Sequence, residues 1–188
     1  MLKPLAEYGK FVEIAGFAGV KVGNEKDFMV KLRDAVPKGV EVQFFDADLV
    51  ATWQHLYFAV LNALMAFRSG RNISKSVAVE VVLFASAQRQ IKKAIDHIGV
   101  KCSSVNVAAV IISADVDSAK TGLAAVTKCL GVEPDDSVLE LSEAKVQRIK
   151  RAFKISETEL EASTAKKDAS QTLVDLVVEN VALLSTQL

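Results

Sequence analysis

The chain has 188 residues, of which 51% are hydrophobic, so it is long and apolar enough for one domain with a sizeable core. Its 23 Lys and Arg balance its 23 Asp and Glu, which excludes a nucleic-acid or membrane-surface protein that acts through overall positive charge. Its two cysteines, Cys102 and Cys129, form no C-x-x-C pair and no His cluster accompanies them, so we expect reduced thiols in a cytoplasmic protein, with no metal site.

The N-terminal part of the chain is predicted to contain two strands and one helix. Apolar residues around Phe11 and Ile14 indicate a strand or hairpin. Three glycines are expected to weaken it: Gly16, Gly19 and Gly23. Residues 25–36 place apolar side chains on one helical stripe, and the alternation in residues 40–46 indicates a second strand. We expect no targeting segment, because the start lacks an apolar run of signal-peptide length.

The uncharged segment Leu49–Phe67 is nearly long enough to span a membrane as a helix. However, Thr52, His55 and Asn62 share one helical face while large apolar side chains line another. This pattern favours a buried core helix, and we expect no membrane partner. The helix is predicted to end at Gly70. Two acidic residues are candidates for its N-terminal cap: Asp46 and Asp48.

Residues 76–87 fit two secondary structures. Their valines favour a strand, whereas Ser76 is a candidate N-cap and the apolar residues also fall on helical spacing, so both alternatives stay open. Residues 88–99 indicate a clearer helix that ends at Gly99. Three isoleucines of this helix are expected to face the core: Ile91, Ile95 and Ile98.

The second half of the chain begins with a strand and a helix. Residues 105–114 indicate a buried strand. Residues 117–131 indicate a helix that Asp117 or Ser118 caps. The alternation of strands and helices along the chain predicts an α/β or α+β fold.

The last fifty residues are predicted to be mostly helical. A short strand near Val138–Leu141 is expected before a helix that Ser142 caps. A charged connector over about 156–170 then separates this helix from a C-terminal helix within residues 171–188. We expect all of residues 1–188 to form a single domain.

Charge is distributed unevenly along the chain although its total is zero. Seven cations between Arg68 and Lys101 are accompanied by only two acids, whereas Glu133–Glu143 contains five acids and no base. Within the basic stretch, the loop Gly70–Ser76 (GRNISKS) combines cationic, amide and hydroxyl groups with one isoleucine. Such a mixture suits the phosphates, base edges and unpaired base faces of single-stranded RNA. An ordinary solvated surface is the alternative explanation.

Common catalytic motifs are absent from the sequence. It contains no G-x-S-x-G elbow and no G-x-x-x-x-G-K-[ST] phosphate loop, and its early glycines lack the dinucleotide-binding spacing. Core packing and solvation at a helix end explain His55 and His97 without a catalytic role. We therefore expect a protein that is not an enzyme.

The middle of the chain carries a specific combination of segments. An uncharged helix ends in R-S-G-R-N-I, an E-V-V-L-F-A-S segment follows, and R-Q-I then precedes a helix that ends at H-I-G-V. With these features, residues 45–101 resemble the kinase-binding small subunit of the KEOPS complex, the archaeal relatives of TPRKB. The resemblance is weaker toward the tail, where VLELSEAKVQRIKRAF and VENVALLS fit it. It implies a mostly antiparallel central sheet flanked by helices, with residues 76–87 helical and a C-terminal helix.

This resemblance also implies a function, which is a non-catalytic adaptor in the formation of threonylcarbamoyladenosine in tRNA. Such a subunit docks on the atypical small kinase of KEOPS, associates indirectly with the other subunits, captures the single-stranded CCA tail of tRNA and needs no cofactor. The expected RNA-binding residues are Arg68, Arg71, Asn72, Ile73, Ser74, Lys75, Arg89, Gln90 and Lys93. The expected kinase-binding residues are Val178, Val181, Ala182 and Leu184.

Two other functions are compatible with the same residues. A small-molecule enzyme would use the basic patch for an anionic substrate, and loss of turnover in Arg71→Ala would support it. A structural oligomer subunit would place the polar stripe of Thr52, His55 and Asn62 at an interface. Crosslinked dimers that bind no RNA would support that alternative.

Overall fold

A four-stranded antiparallel sheet lies at the centre of the computed structural model, which describes residues 1–163 and 168–187. Its strands are β1 (Leu2–Leu5), β2 (Lys10–Phe17), β3 (Glu41–Asp46) and β4 (Val107–Ser113). Their order is β1-β2-β4-β3, so Val110 in β4 pairs with Ile14 on one side and with Gln43 on the other. The almost uninterrupted apolar sequence of β4 reflects a strand that is covered on both faces.

Helices account for most of the remaining described residues. They are α1 (Glu25–Ala35), α2 (Trp53–Ser69), α3 (Val77–Ala85), α4 (Ile91–Ile98), α5 (Val116–Leu130), α6 (Glu143–Phe153), α7 (Glu157–Ser163) and α8 (Ala169–Leu184). Short 3-10 helices occupy Ala6–Tyr8, Ala47–Leu49, Asp136–Leu139 and Ser185–Gln187. Within the described residues, no helix is long and apolar enough to cross a membrane.

The sheet separates two hydrophobic clusters, because alternate residues of each strand point to opposite faces. In β4, Val110 belongs to the cluster beneath α2, α3, α4 and α8, whereas Ile111 belongs to the cluster beneath α1 and α5. A third cluster joins α6, α7 and α8 around Ile149 and Leu173. This arrangement confirms the predicted antiparallel sheet flanked by helices.

Residues 76–87 are helical, which resolves the alternative that the sequence left open. Ser76 is the N-cap of α3, and its side-chain oxygen accepts the N–H of Val79 at 3.5 Å. Seven of the nine residues of α3 are buried, so the helix lies between other elements and its apolar character reflects burial on several sides.

The two predicted N-caps of the long helix were wrong. Asp46 instead accepts the N–H of Asp48 at 3.1 Å and begins the 3-10 helix Ala47–Leu49. The helix α2 starts only at Trp53, after Thr52, whose side chain caps no backbone N–H. Short-range hydrogen bonding by an aspartate favours a turn as readily as a helix start, and here the turn forms.

Two expectations for the second half of the chain were also wrong. Asp115 caps α5 by accepting the N–H of Ser118 at 2.7 Å, so the helix starts before the predicted caps Asp117 and Ser118. The predicted strand Val138–Leu141 is a 3-10 helix over Asp136–Leu139. The preceding Asp135 causes this turn, because its carboxylate accepts the N–H of Ser137 at 3.1 Å.

Gly16 allows this 3-10 helix to contact the sheet. The N–H of Gly16 donates to Asp136 at 2.9 Å, and its carbonyl accepts the N–H of Asp135 at 2.8 Å. A Cβ atom at position 16 would lie 2.5 Å from the carbonyl oxygen of Asp135. The glycine therefore marks a close backbone approach inside a regular strand.

Three further features differ from the sequence-based description. The N-terminal strand β1 was not predicted. The charged connector contains the helix α7, and residues 164–167 of the connector lie outside the described residues. In α4 the buried residues are Ala94 and Ile98, whereas Ile91 and Ile95 are exposed, so only one of the three predicted inward isoleucines faces the core.

Candidate functional site

The basic loop Gly70–Ser76 begins at a sharp end of α2. Gly70 adopts a left-handed backbone with φ of 70°, as predicted for a C-terminal glycine. The N–H of Arg71 donates to the carbonyl of Ala66 at 2.9 Å, which turns the chain back toward the helix it has just left. The loop therefore leaves α2 in one defined direction.

A buried carboxylate holds this loop from the side of the protein. Glu80 lies in the first turn of α3 and has no exposed surface. Its carboxylate accepts the N–H of Ile73 at 3.1 Å and the N–H of Ser74 at 2.7 Å. Hydrogen bonds to a charged group are stronger than those between neutral groups, so these contacts fix the backbone of the loop.

Polar side chains of the loop also bond to its own backbone. Asn72 donates to the carbonyl of Ser74 at 2.9 Å, and the Ser74 hydroxyl donates to the carbonyl of Ser76 at 2.6 Å. Beneath them, Glu41 of β3 accepts the Ser76 hydroxyl at 3.2 Å and the N–H of Ala78 at 2.9 Å. Ser74 is buried, so it belongs to the framework of the loop more than to its surface.

The remaining loop side chains face solvent. Ile73 is 40% exposed, and Arg71 and Lys75 on either side of it are exposed as well. Neither cation forms an ion pair with any described residue. The loop thus presents one apolar side chain flanked by two free positive charges.

The second basic segment follows the opposite end of α3. Because α3 has nine residues, its two ends lie about 13 Å apart at 1.5 Å per residue. Beyond the C-terminal end, Arg89, Gln90 and Lys93 are exposed, and both cations lack an ion-pair partner among the described residues. Arg71 and Phe84 of the last turn of α3 both line a small cavity of about 110 Å³.

Arg68 has a different environment from the other predicted RNA-binding cations. Its guanidinium carbon lies 5.2 Å from the ring centroid of Tyr8, which is a cation–π contact with the N-terminal segment. The structure therefore leaves Arg71, Ile73 and Lys75 together on one loop, with Arg89, Gln90 and Lys93 across α3.

The predicted kinase-binding residues of α8 divide between two faces. Val181 and Leu184 are buried in the cluster beneath α2 and α3. Val178 is half-buried and Ala182 is exposed, and both line a groove of about 440 Å³ between α2 and α8. Phe58 of α2, which is 39% exposed, lines the same groove.

The two histidines lie in the interior near the third cluster. His55 is fully buried, its Nδ1 accepts the N–H of Ala51 at 3.2 Å, and its Nε2 donates to the carbonyl of Ala85 at 2.8 Å. Burial is the main cause that lowers the pKa of His55 to about 4. His55 is therefore a neutral core residue, and the polar stripe of α2 has no free imidazole to offer an oligomer interface.

His97 is less exposed than its place at a helix end suggested. Its ring packs edge-on against Phe153, with centroids 5.4 Å apart, and burial lowers its pKa. Its Nε2 is buried and has no hydrogen-bond partner within the described residues.

Lys145 is an unusual buried cation of α6. Its amine donates to the carbonyl of Val138 at 2.7 Å and to that of Glu140 at 3.2 Å, which ties α6 to the 3-10 helix. Burial is the main cause that lowers the pKa of Lys145 to about 8.

Two residues of the candidate site escaped the sequence analysis. Glu80 was counted only as one of two acids in a basic stretch, although a single carboxylate in the apolar helix VAVEVVLFA was a usable signal. Phe58 lies on neither the predicted apolar stripe nor the predicted polar stripe of α2, and this position indicated an exposed aromatic side chain.

Comparison with known proteins identifies the family to which the chain belongs. The sequence model of the family described as "Kinase binding protein CGI-121" matches residues 20–185, and the chain belongs to this family. Among characterised relatives, the "Regulatory protein Cgi121" of Methanocaldococcus jannaschii is 34% identical over 142 residues, covering 76% of this chain and 83% of that protein. These matches confirm the family resemblance found in residues 45–101.

Proposed function

We propose that this protein is a non-catalytic adaptor of the KEOPS complex, which forms threonylcarbamoyladenosine in tRNA. It binds the atypical kinase of the complex and the single-stranded CCA tail of tRNA, and it brings the substrate to the modification enzyme in the cytoplasm. The observation that carries this proposal is the match of residues 20–185 to a family of kinase-binding proteins. Capture of the tRNA tail rests on the family resemblance and on the chemistry of the basic loop.

The groups exposed by the loop suit a short single-stranded RNA. Arg71 and Lys75 attract phosphates, and Ile73 offers an apolar surface on which an unstacked base packs. Arg89 and Gln90 add a cation and an amide that reads base edges across α3. Because the protein has zero net charge, only a few phosphates are neutralised, which matches a three-nucleotide tail better than a long duplex.

The groove between α2 and α8 is the proposed kinase surface. Val178, Ala182 and Phe58 give it an apolar wall, while polar residues that include Asp175 and Glu179 also line it, and such a mixture is typical of protein interfaces. Val181 and Leu184 support this wall from the core side. We therefore assign direct kinase contacts to Val178 and Ala182, and an indirect, structural role to the two buried residues.

The tail half of the proposal is tested with labelled tRNA, with and without its terminal CCA. The protein is expected to bind the intact tRNA, and removal of the CCA is expected to abolish binding. Ile73→Glu and Arg89→Glu are expected to weaken binding to the intact tRNA. The matched control is Lys120→Glu, which reverses an exposed charge on α5, across the sheet from the loop. Equal binding of both tRNAs would refute tail capture.

The kinase half is tested by binding of the purified atypical kinase to Ala182→Glu. A charged side chain at the apolar wall of the groove is expected to weaken binding at least about tenfold. Ala124→Glu is the matched control, because it makes the same change at an exposed alanine of α5. If both variants bind the kinase as the parent does, the docking surface lies elsewhere.

A further inference from the structure

The loop Gly70–Ser76 rests on a negative charge, which is unexpected beneath a surface proposed to bind RNA. We propose that Glu80 is the positioning residue of the tail site: its buried carboxylate holds the loop in the conformation in which Ile73 projects between Arg71 and Lys75. This inference rests on the proposed function, since it assigns a role within the same site. Glu80 contacts the backbone of the loop and is not expected to contact RNA.

The local environment explains why Glu80 is not an ordinary helix residue. It lies among Val79, Val81 and Val82 in a helix whose other residues are all apolar, and it is completely buried. A buried carboxylate is costly unless hydrogen bonds replace its lost water. The hydrogen bonds that do so come from two loop residues, Ile73 and Ser74. The compensation for burying Glu80 is therefore the ordered loop itself.

The geometry of these bonds determines where the functional side chains point. The carboxylate receives two consecutive backbone N–H groups, so the peptide between Ile73 and Ser74 has one orientation relative to α3. This orientation buries the Ser74 side chain and leaves Ile73 40% exposed. An apolar side chain that is already held outward loses little conformational entropy when a base packs on it.

The negative charge of Glu80, considered alone, opposes RNA binding. A negative charge near the loop repels phosphates, so its removal would strengthen RNA binding if Glu80 were only a nearby charge. If Glu80 positions the loop, its removal weakens tail binding despite this gain in local positive charge. The sign of the change in affinity therefore separates the two roles.

The deciding variant is Glu80→Gln, which keeps the side-chain size but removes the charge and replaces one acceptor with a donor. We expect binding to intact tRNA to weaken about tenfold, with kinase binding unchanged. Asp96→Asn is the control, since it removes an exposed acid from the same basic stretch and is expected to leave tRNA binding unchanged or slightly stronger. Unchanged or tighter tRNA binding by Glu80→Gln would overturn the inference.

Amide hydrogen exchange of the parent protein provides a test that does not require the variant to fold. The N–H groups of Ile73 and Ser74 are expected to exchange slowly in the free protein, while that of the exposed Lys75 is expected to exchange faster. Unprotected Ile73 and Ser74 amides would also overturn the inference. If the parent itself fails to distinguish tRNA with and without CCA, the tail half of the proposed function fails instead, and the two failures are told apart.

Discussion

The buried imidazole of His55 makes a quantitative prediction about stability in acid. Its pKa is lowered from 6.5 to about 4 mainly because burial removes the ring from water, which disfavours its charged form. In the unfolded chain the ring takes up a proton near its ordinary pKa, whereas the folded protein resists protonation. The stabilising contribution is therefore complete above pH 6.5 and is lost as the pH falls toward 4.

The size of this effect follows from the two pKa values. One pKa unit corresponds to about 1.4 kcal/mol, so linkage predicts a loss of about 2 kcal/mol between pH 7 and pH 5. The structural event is the loss of the bond from the N–H of Ala51 to Nδ1, because a protonated ring has no acceptor. His97, whose pKa is also lowered by burial, adds to the loss in the same direction.

Urea unfolding of the parent and of His55→Gln at pH 7, 6 and 5 measures this contribution. The variant is expected to be less stable at pH 7, since the fit of the ring is lost, but its stability should fall by about 2 kcal/mol less between pH 7 and pH 5. His97 is present in both proteins, so the part of its contribution that comes from burial cancels in the comparison. Parallel curves for the two proteins would refute the assignment of the acid sensitivity to His55.

Four further experiments test the fold and the proposed site. The folded pKa of Lys145 is about 8, below that of the unfolded chain, so stability is expected to rise from pH 8 to 10, and calorimetry should find this rise missing in Lys145→Met. Gly70→Ala is expected to cost about 1 kcal/mol in urea unfolding, because a Cβ strains the left-handed backbone. Gly16→Ala is expected to cost about 1–3 kcal/mol in the same assay, because its Cβ would overlap the backbone of Asp135. Binding of intact tRNA at several salt concentrations should give a logarithmic slope no steeper than about −3, since few phosphates are contacted.

The strands β2 and β3 and the long helices were predictable because their apolar residues recur with regular periods, and β4 because its apolar run is almost uninterrupted, whereas β1 was not predicted. The period of two in β3 and the helical stripe of α1 follow directly from side-chain direction along each element. The short helix α4 shows where this reasoning ends. Its isoleucines form a clear stripe, but periodicity does not say how the helix is rotated against the core. In the packed protein, the residues of α4 that face the core are Ala94 and Ile98.

Local turns were less predictable, because several polar residues compete to begin an element. Asp46 and Asp48 precede α2, and both are good caps in isolation. Asp46 instead accepts the N–H of Asp48, two residues on, and a 3-10 turn forms there. The helix α2 therefore begins later, after Thr52. Tertiary packing favours the turn over an earlier helix start, because Ala47 within the turn is buried in the main cluster.

The candidate site was partly readable from composition. The basic loop was identified because cations and an isoleucine gather between two apolar segments, and its main side chains are exposed. Composition could not predict which face of α8 is exposed. Val177, Val181 and Leu184 form one stripe, Val178 and Ala182 lie beside it, and only the docking of α8 on α2 decides that the first stripe is buried.

The proposed RNA-binding loop and the proposed kinase groove are both built on helix α2. Phe58 lines the groove of the proposed kinase surface, and the same helix α2 ends at the basic loop Gly70–Ser76. At 1.5 Å per residue, Phe58 and Gly70 lie about 18 Å apart along the helix. Within α2 no flexible linker separates the loop from the groove, so a tail bound at the loop would be held at a fixed position relative to a kinase bound in the groove, and its effective concentration would not depend on chain fluctuations. Because Glu80 orders the loop at the end of this helix, it would also define the direction from which the tRNA approaches the complex.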